Sequence, residues 1–142
     1  MPPRFKHILI PLDLSEQSLE ALETAVEMAR QGGARLTMLH VIETIEQADD
    51  EEIQSFYATL QERARQRLDE LARRFAADEL TLDGEIIYGR RGPQIVQYSL
   101  DHEIDLVVLK SPKIDLAQPD AEVSRLSYQL SVLCQCPVLL VK

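Results

Sequence analysis

The sequence predicts an α/β protein in which helices cover both faces of a parallel sheet. Apolar runs without polar alternation, such as Ile8–Ile10, are typical of strands that are buried on both faces. Segments with apolar residues at helical spacing separate these runs, so that strands and helices alternate along the whole chain. We therefore expect one doubly wound α/β domain over residues 1–142, with five parallel strands in the order 3-2-1-4-5.

The stretch Lys6–Asp13, KHILIPLD, is expected to form the central strand of this sheet. Pro11 cannot donate a hydrogen bond to a neighbouring strand, so pairing should weaken where the strand ends. Asp13 then follows in the loop at the carboxyl end. In doubly wound sheets ligands bind at this end, beside the point where the strand order reverses. Asp13 is therefore the first candidate site residue.

The next segment has the signals of a helix followed by a second strand. Ser15 can cap the helix at its start, and Gly32-Gly33 can end it in the left-handed conformation. The mostly apolar run Leu36–Ile42 follows as the second strand. Together these segments predict a βαβ crossover, which is almost always right-handed.

The middle of the chain predicts a long helix and an edge strand. Acidic residues at 49–52 suit the start of a helix, where the dipole favours negative charge, better than a metal site. The apolar face from Ile53 to Phe75 then predicts the helix. Leu80–Tyr88 alternates in part and contains Asp83-Gly84, which predicts an edge strand with a bulge or bend.

A short helix follows Gly89, with Pro93 expected at its first position. Arg90 and Arg91 precede this helix. They could hold an anion at its amino terminus, or they could be exposed loop charges.

Two further strands complete the predicted sheet. Asp105–Lys110 is apolar and central, and Pro137–Val141 comes last. Between them lie a helix from about Val123 and the long loop Ser111–Glu122; loops of that length are usually functional or mobile.

Composition excludes several classes of function. The net charge is −9, with 24 acidic against 15 basic residues, whereas binding to nucleic acid needs a concentrated basic face. No apolar run is long enough to cross a membrane, and Met1–Lys6 is not a signal peptide, so we expect a soluble cytoplasmic protein. Cys134 and Cys136, too close in sequence for an unstrained disulfide, are expected to be small buried hydrophobes.

No catalytic constellation is evident, and we do not expect an enzyme. His7, His40 and His102 are scattered and are interpreted as surface or satisfied core histidines. Ser111 and Ser124 have no nearby base that would make either a nucleophile.

The order and spacing of five segments resemble the universal stress protein family. They are HILIPLDLSEQSLEALETAVEMA, LTMLHVI, the Gly89 to Asp105 region, DLVVLKS and CPVLLVK, and they cover nearly the whole chain. No single segment is specific, but the five together are a strong match.

The resemblance also raises the question of ATP. Family members that bind ATP carry a loop Gly-x2-Gly-x9-Gly-Ser/Thr after the fourth strand, whose backbone amides reach the phosphates. Here the first two glycines correspond to Lys110 and Lys113, and the third to Val123, with Ser124 as the hydroxyl, or to Ser124 itself. No glycine follows Gly92. The chain therefore resembles the branch that lacks the ATP-binding loop, and no cofactor is expected.

Other positions of the family's nucleotide site match this sequence. Asp13 corresponds to the acidic residue near the adenosine, Val41 to the position whose backbone contacts the base, and Ser124 to the loop hydroxyl. If a nucleotide binds, these residues are the candidate cofactor-binding residues, with ATP as the alternative cofactor. Asp13 could equally cap a helix region, and Val41 could simply be part of an apolar layer.

Lys110 and Lys113 allow two interpretations. Their charges could hold an anion in place of the amides. Alternatively, their side chains fill the crevice and are neutralised by the nearby acids Asp115, Asp120 and Glu122. The second interpretation is favoured here.

We therefore expect a stress-response or regulatory protein that acts through protein contacts, without ATP. The alternative is a regulatory module that binds ATP or AMP with a degenerate phosphate loop. The resemblance also implies a homodimer through the last strand, Pro137–Val141, whose short apolar edge would otherwise be exposed.

Overall fold

The structure is a computed structural model that describes residues 5–44, 50–113, 116–117 and 125–142. Ser124 and most of the predicted loop Ser111–Glu122, including Asp115, Asp120 and Glu122, lie outside the described residues.

Strands and helices alternate as the sequence predicts. The elements are β1 (His7–Pro11), α1 (Ser18–Gly32), β2 (Arg35–Ile42), α2 (Glu51–Arg74), β3 (Thr81–Tyr88), α3 (Arg91–Asp101), β4 (Leu106–Lys110), α4 (Arg125–Leu133) and β5 (Val138–Val141). The strands form one five-stranded sheet in the order β3-β2-β1-β4-β5. Every pair of neighbouring strands is parallel. The predicted doubly wound α/β fold and its strand order are confirmed.

β1 lies at the centre of the sheet because both of its faces are apolar. Ile8 and Ile10 pack into a cluster with α1 and α2, whereas Leu9 packs into a second cluster with α3 and α4. All three side chains are completely buried. Alternate residues of one strand thus enter two separate cores, as the uninterrupted apolar run predicts.

β3 is an edge strand, as predicted, but the predicted bulge at Asp83-Gly84 is wrong. Pairing with β2 runs without interruption from Thr81 to Tyr88. Gly84 instead marks a close approach of α2, because a Cβ on this residue would lie 3.3 Å from the Leu68 Cβ. The glycine is therefore explained by helix packing against the strand.

The first helix begins later than predicted, and Ser15 does not cap it. α1 starts at Ser18, and its N-cap residue Gln17 makes no side-chain capping bond. The Ser15 hydroxyl instead donates to the Asp13 carboxylate. The predicted end of the helix is confirmed, because Gly33 is left-handed and its amide donates to the Ala29 carbonyl.

The predicted acidic start of α2 is confirmed by Asp50, whose side chain accepts a hydrogen bond from the Glu52 amide at 3.1 Å. Pro93, predicted at the first position of the third helix, is the third residue of α3, because that helix already begins at Arg91. Within the described ranges, no helix is both long and apolar enough to span a membrane.

The close contact between α2 and β3 predicts that Gly84→Val will lower the free energy of unfolding by about 1–3 kcal/mol, as for an overpacked core. Urea denaturation measures this change. Gly32→Ala is the control, because a Cβ there meets nothing within 4 Å. It should leave stability unchanged or raise it slightly. Equal stability of Gly84→Val and wild type would contradict the packing argument.

Candidate functional site

A cavity of about 280 Å³ opens at the carboxyl ends of β1, β2 and β4. The strand order reverses between β1 and β4, so this is the position where doubly wound sheets bind ligands. Its wall contains apolar side chains from the sheet and α3, together with a small number of charged groups. The volume lies near the lower end of the range for small-molecule sites.

Asp13 lies in the wall of this cavity and is held by the turn that follows it. The Ser15 amide and hydroxyl both donate to Asp13 Oδ1, at 2.9 Å and 2.7 Å. Leu14, between them, has a positive φ of 66°, which turns the chain tightly enough for both bonds to form. The two hydrogen bonds thus fix the orientation of the Asp13 carboxylate just beyond the carboxyl end of β1.

The electrostatic surroundings keep Asp13 ionised. Burial alone would raise the pKa of this carboxyl group. Hydrogen bonds from Ser15 and Ser18, together with the positive charge of Arg91, outweigh burial and lower the pKa below its ordinary value. Asp13 therefore offers hydrogen-bond acceptors only, which suits hydroxyl or amine donors on a ligand.

Val41 contributes to the apolar part of the same wall. It lies near the end of β2 and is almost fully buried, and Leu39, Ile95 and Leu109 also line the cavity. The structure thus brings Asp13 and Val41 to one cavity, while their contact with a nucleotide stays a prediction. Ser124, the third candidate, lies outside the described residues.

Lys110 also lines the cavity, but it does not fill it. Its ammonium group lies 2.8 Å from Glu20 Oε2 in the first turn of α1, and this contact lowers the pKa of Glu20. Because Asp115, Asp120 and Glu122 lie outside the described residues, the prediction that the two lysines and these acids fill the crevice stays a prediction. Lys110 is thus paired with Glu20 of α1, whereas the sequence suggested an acid from the loop that follows β4.

Arg91, one of the two arginines left open by the sequence, lies in the cavity wall. It is the first residue of α3, and its Nε lies 3.4 Å from Glu43 Oε1. Arg90 is exposed and does not belong to the wall given by the described residues. The two neighbouring arginines are therefore not equivalent.

His40 is a site residue that the sequence reasoning missed. It lines the cavity, and its Nδ1 lies 2.8 Å from the Leu12 carbonyl. Because a carbonyl only accepts, Nδ1 is the nitrogen that donates in this hydrogen bond. The sequence contained one indication of this role, because His40 directly precedes Val41 near the carboxyl end of the second strand.

The two cysteines are free thiols and half-buried. Burial raises the pKa of both thiols, so neither is activated as a thiolate. In the part of the chain that the structure describes, no group of three or more His, Cys, Asp or Glu residues is placed to hold a metal ion.

The hydrogen bond from the Ser15 hydroxyl predicts that Ser15→Ala will lower the free energy of unfolding at pH 7 by about 0.5–1 kcal/mol. Because the folded-state pKa of Asp13 is lowered, this stabilisation is present above the ordinary aspartate pKa of about 3.9. It is lost as the pH falls through the lower folded-state value.

Urea denaturation of wild type and Ser15→Ala between about pH 7 and pH 3 measures this difference, which should shrink with acid. Ser55→Ala, on the exposed side of α2, is the control and should show no such pH dependence. A difference that stays constant over the whole range would contradict the role given to Asp13.

Comparison with solved structures places the fold among stress proteins. The universal stress protein UspA from Lactobacillus plantarum is 27% identical with a TM-score of 0.77, and the match covers 99% of each chain. A universal stress protein from Archaeoglobus fulgidus in complex with dAMP is 17% identical with a TM-score of 0.67, covering 99% of this chain and 100% of that one.

A third structure, a universal stress protein in complex with cAMP, is 18% identical with a TM-score of 0.65 and covers 99% of this chain and 98% of that one. Among curated proteins, none matches this sequence. The sequence profile of the universal stress protein family matches residues 4–142, nearly the full length. The chain therefore belongs to the universal stress protein family.

Proposed function

We propose that this stress-response protein acts through contacts with other proteins, without catalysis and without ATP as a resident ligand. The observation that carries the proposal is Lys110, which ends β4 where ATP-binding relatives place the first glycine of their phosphate loop. A residue with a Cβ and a long side chain does not allow the close approach of backbone amides to phosphates that glycine allows. The ammonium group is already paired with Glu20.

The proposal predicts that Mg-ATP gives no saturable heat in isothermal titration at a protein concentration of about 100 μM, where a ligand of millimolar affinity barely registers. If a small heat of binding is observed, Asp13→Asn is the control. Heat that comes from ATP in the cavity should change in this variant, whereas heat from binding elsewhere on the protein should not. Saturable ATP binding in the low micromolar range would contradict the proposal.

The first partner that we propose is a second copy of the chain. β5 lies at the edge of the sheet, and both α4 and β5 carry large apolar side chains that are exposed. These side chains are Tyr128, Val132, Leu133 and Leu139. A two-fold contact through this edge would pair both free strand edges and remove the apolar side chains from water.

This homodimer predicts that Leu139→Lys will reduce the mass in light scattering from twice that of the chain to that of a single chain. The charged side chain would have to be buried at the contact, and the apolar burial lost is worth roughly 25 cal/mol per Å². Leu100→Lys is the matched control, because Leu100 is an exposed leucine of α3 and should leave the dimer intact. A monomeric wild type would contradict the proposal.

The open cavity favours a second candidate function, a regulatory module that binds a small nucleotide. Asp13 supplies acceptors for sugar hydroxyls, and Val41 with its apolar neighbours supplies a surface for a base. Related structures in complex with cAMP and dAMP support this candidate. This candidate differs from the first in that ATP or AMP would be its ligand.

A further inference from the structure

β3 ends the sheet on the side opposite to β5, and within the described residues no further strand pairs with its outer edge. The Gly89 amide, directly after β3, donates to the Ile42 carbonyl of β2 at 3.1 Å. Successive residues of a strand direct their amides and carbonyls to opposite sides, so the odd-numbered residues of β3 face β2 and the even-numbered ones face outward. The outward-facing residues are Leu82, Gly84, Ile86 and Tyr88.

One side chain already binds to this outer edge. Arg65 of α2 donates from Nη1 to the Gly84 carbonyl at 3.2 Å, in agreement with a carbonyl that faces away from β2. The same side chain lies 3.9 Å from the Asp69 carboxylate and is 44% exposed. Contacts of a partly solvated arginine are weak, so a backbone amide of an added strand can replace Arg65 as the donor to Gly84.

β3 has few of the features that protect edge strands from pairing with another chain. It spans eight residues, and its register with β2 is regular from Thr81 to Tyr88. Its sequence contains neither proline nor lysine. β5, at the opposite edge, has only four residues. β3 is therefore the longer template for an added strand.

The side of β3 that faces α2 is apolar and aromatic. Leu82 and Ile86 pack against the cluster that α1 and α2 cover. At the carboxyl end of the strand, Tyr57 and Tyr88 line a cavity of about 350 Å³. Phe56, whose ring lies 6.0 Å from that of Tyr57, is 58% exposed. An added strand would thus place apolar side chains on this side.

The opposite side of β3 is acidic. Asp83 and Glu85 alternate with the residues that face α2, and both are partly exposed. Burial and the nearby carboxylate of Glu85 both raise the pKa of Tyr98 in α3, so Glu85 lies on the α3 side of the sheet. Asp83 forms an ion pair with Arg35 at 2.6 Å, whereas Glu85 forms no salt bridge within the described residues. A basic side chain on an added strand would therefore complement Glu85.

We propose that the outer edge of β3 binds an extended segment of a partner protein as an additional strand, in which apolar residues on the α2 side alternate with lysine or arginine on the acidic side. The inference rests on the proposed function through protein contacts and names the surface that makes them. In this mode of recognition the main-chain hydrogen bonds supply affinity, and alternate side chains supply specificity. Opposite charges on neighbouring strands stabilise the pairing, and like charges destabilise it.

The experiment measures the fluorescence anisotropy of two labelled synthetic heptapeptides mixed with the full chain. Valine alternates with lysine in the first peptide and with glutamate in the second. The valine–lysine peptide should bind roughly tenfold more tightly, because its charges are opposite to that of Glu85. Glu85→Lys should reverse this preference. Glu23→Lys, at an exposed position of α1, changes the net charge equally and is the matched control, which should keep the preference of the wild type.

Arg65→Ala tests the same edge through a gain of affinity. This variant leaves the Gly84 carbonyl open to the added strand, so the valine–lysine peptide should bind about threefold to tenfold more tightly, as expected for one additional hydrogen bond. Arg63→Ala removes the same charge from an exposed neighbouring position of α2 and should change the affinity much less. A misfolded variant would not gain affinity.

Three results would overturn the site at β3. The first is that neither peptide binds at about 1 mM. The second is that Glu85→Lys keeps the preference for lysine, or that Arg65→Ala binds no more tightly than Arg63→Ala. The third is that Glu85→Lys lowers the mass of the protein in light scattering, since β3 would then pair with a second copy of the chain instead of a separate partner.

These results are distinguishable from a failure of the proposed function. Each of the three leaves function through protein contacts intact, because that proposal is tested by the ATP titration and by the mass of the wild type. Conversely, saturable ATP binding in the low micromolar range would overturn the proposed function, whereas a preference that Glu85→Lys reverses would still support the strand site at β3.

Discussion

The burial of β1 on both faces is the constraint on which the rest of the structure depends. Because Ile8 and Ile10 enter one core and Leu9 the other, helices must cover both sides of the sheet. Parallel neighbours then require crossover connections, and the strand order reverses beside β1. The cavity lies at that reversal. The apolar run that directs folding therefore also determines where a ligand can bind.

The sheet positions the candidate site through its strand ends. Asp13 follows β1, Val41 lies near the end of β2, and Lys110 ends β4, so three separate segments reach the same cavity. Parallel strands end at the same edge of a sheet, which is why residues distant in sequence become neighbours there. Arg91 joins them because α3 starts at this edge, after β3. The charge pattern of the cavity is thus a property of the topology as much as of any motif.

The sequence predicted the fold and the location of Asp13 and Val41, because strand periodicity and strand ends are local properties. It did not predict interactions that depend on tertiary approach. The pairing of Lys110 with Glu20 joins residues 90 positions apart, and nothing near either residue indicates it. Gly84 resembled a bulge, yet the approach of Leu68 explains it. Ser15 had the correct chemistry for a cap, but its hydroxyl donates to the Asp13 carboxylate two residues earlier, and the helix starts only at Ser18.

The bonds around Leu12 have a consequence for the thermodynamics of binding. Its amide donates to the Leu39 carbonyl at 2.8 Å, and its carbonyl accepts from His40. These two hydrogen bonds hold the segment before Asp13 against β2. This part of the cavity wall therefore does not have to become ordered when a ligand binds. Arg91 and Lys110, in contrast, reach the cavity with long side chains that form ion pairs with exposed glutamates. Among the described residues, a ligand would therefore restrict these two side chains more than the segment before Asp13. Its contacts with the two charged side chains would also respond to salt more than its contacts with the apolar residues.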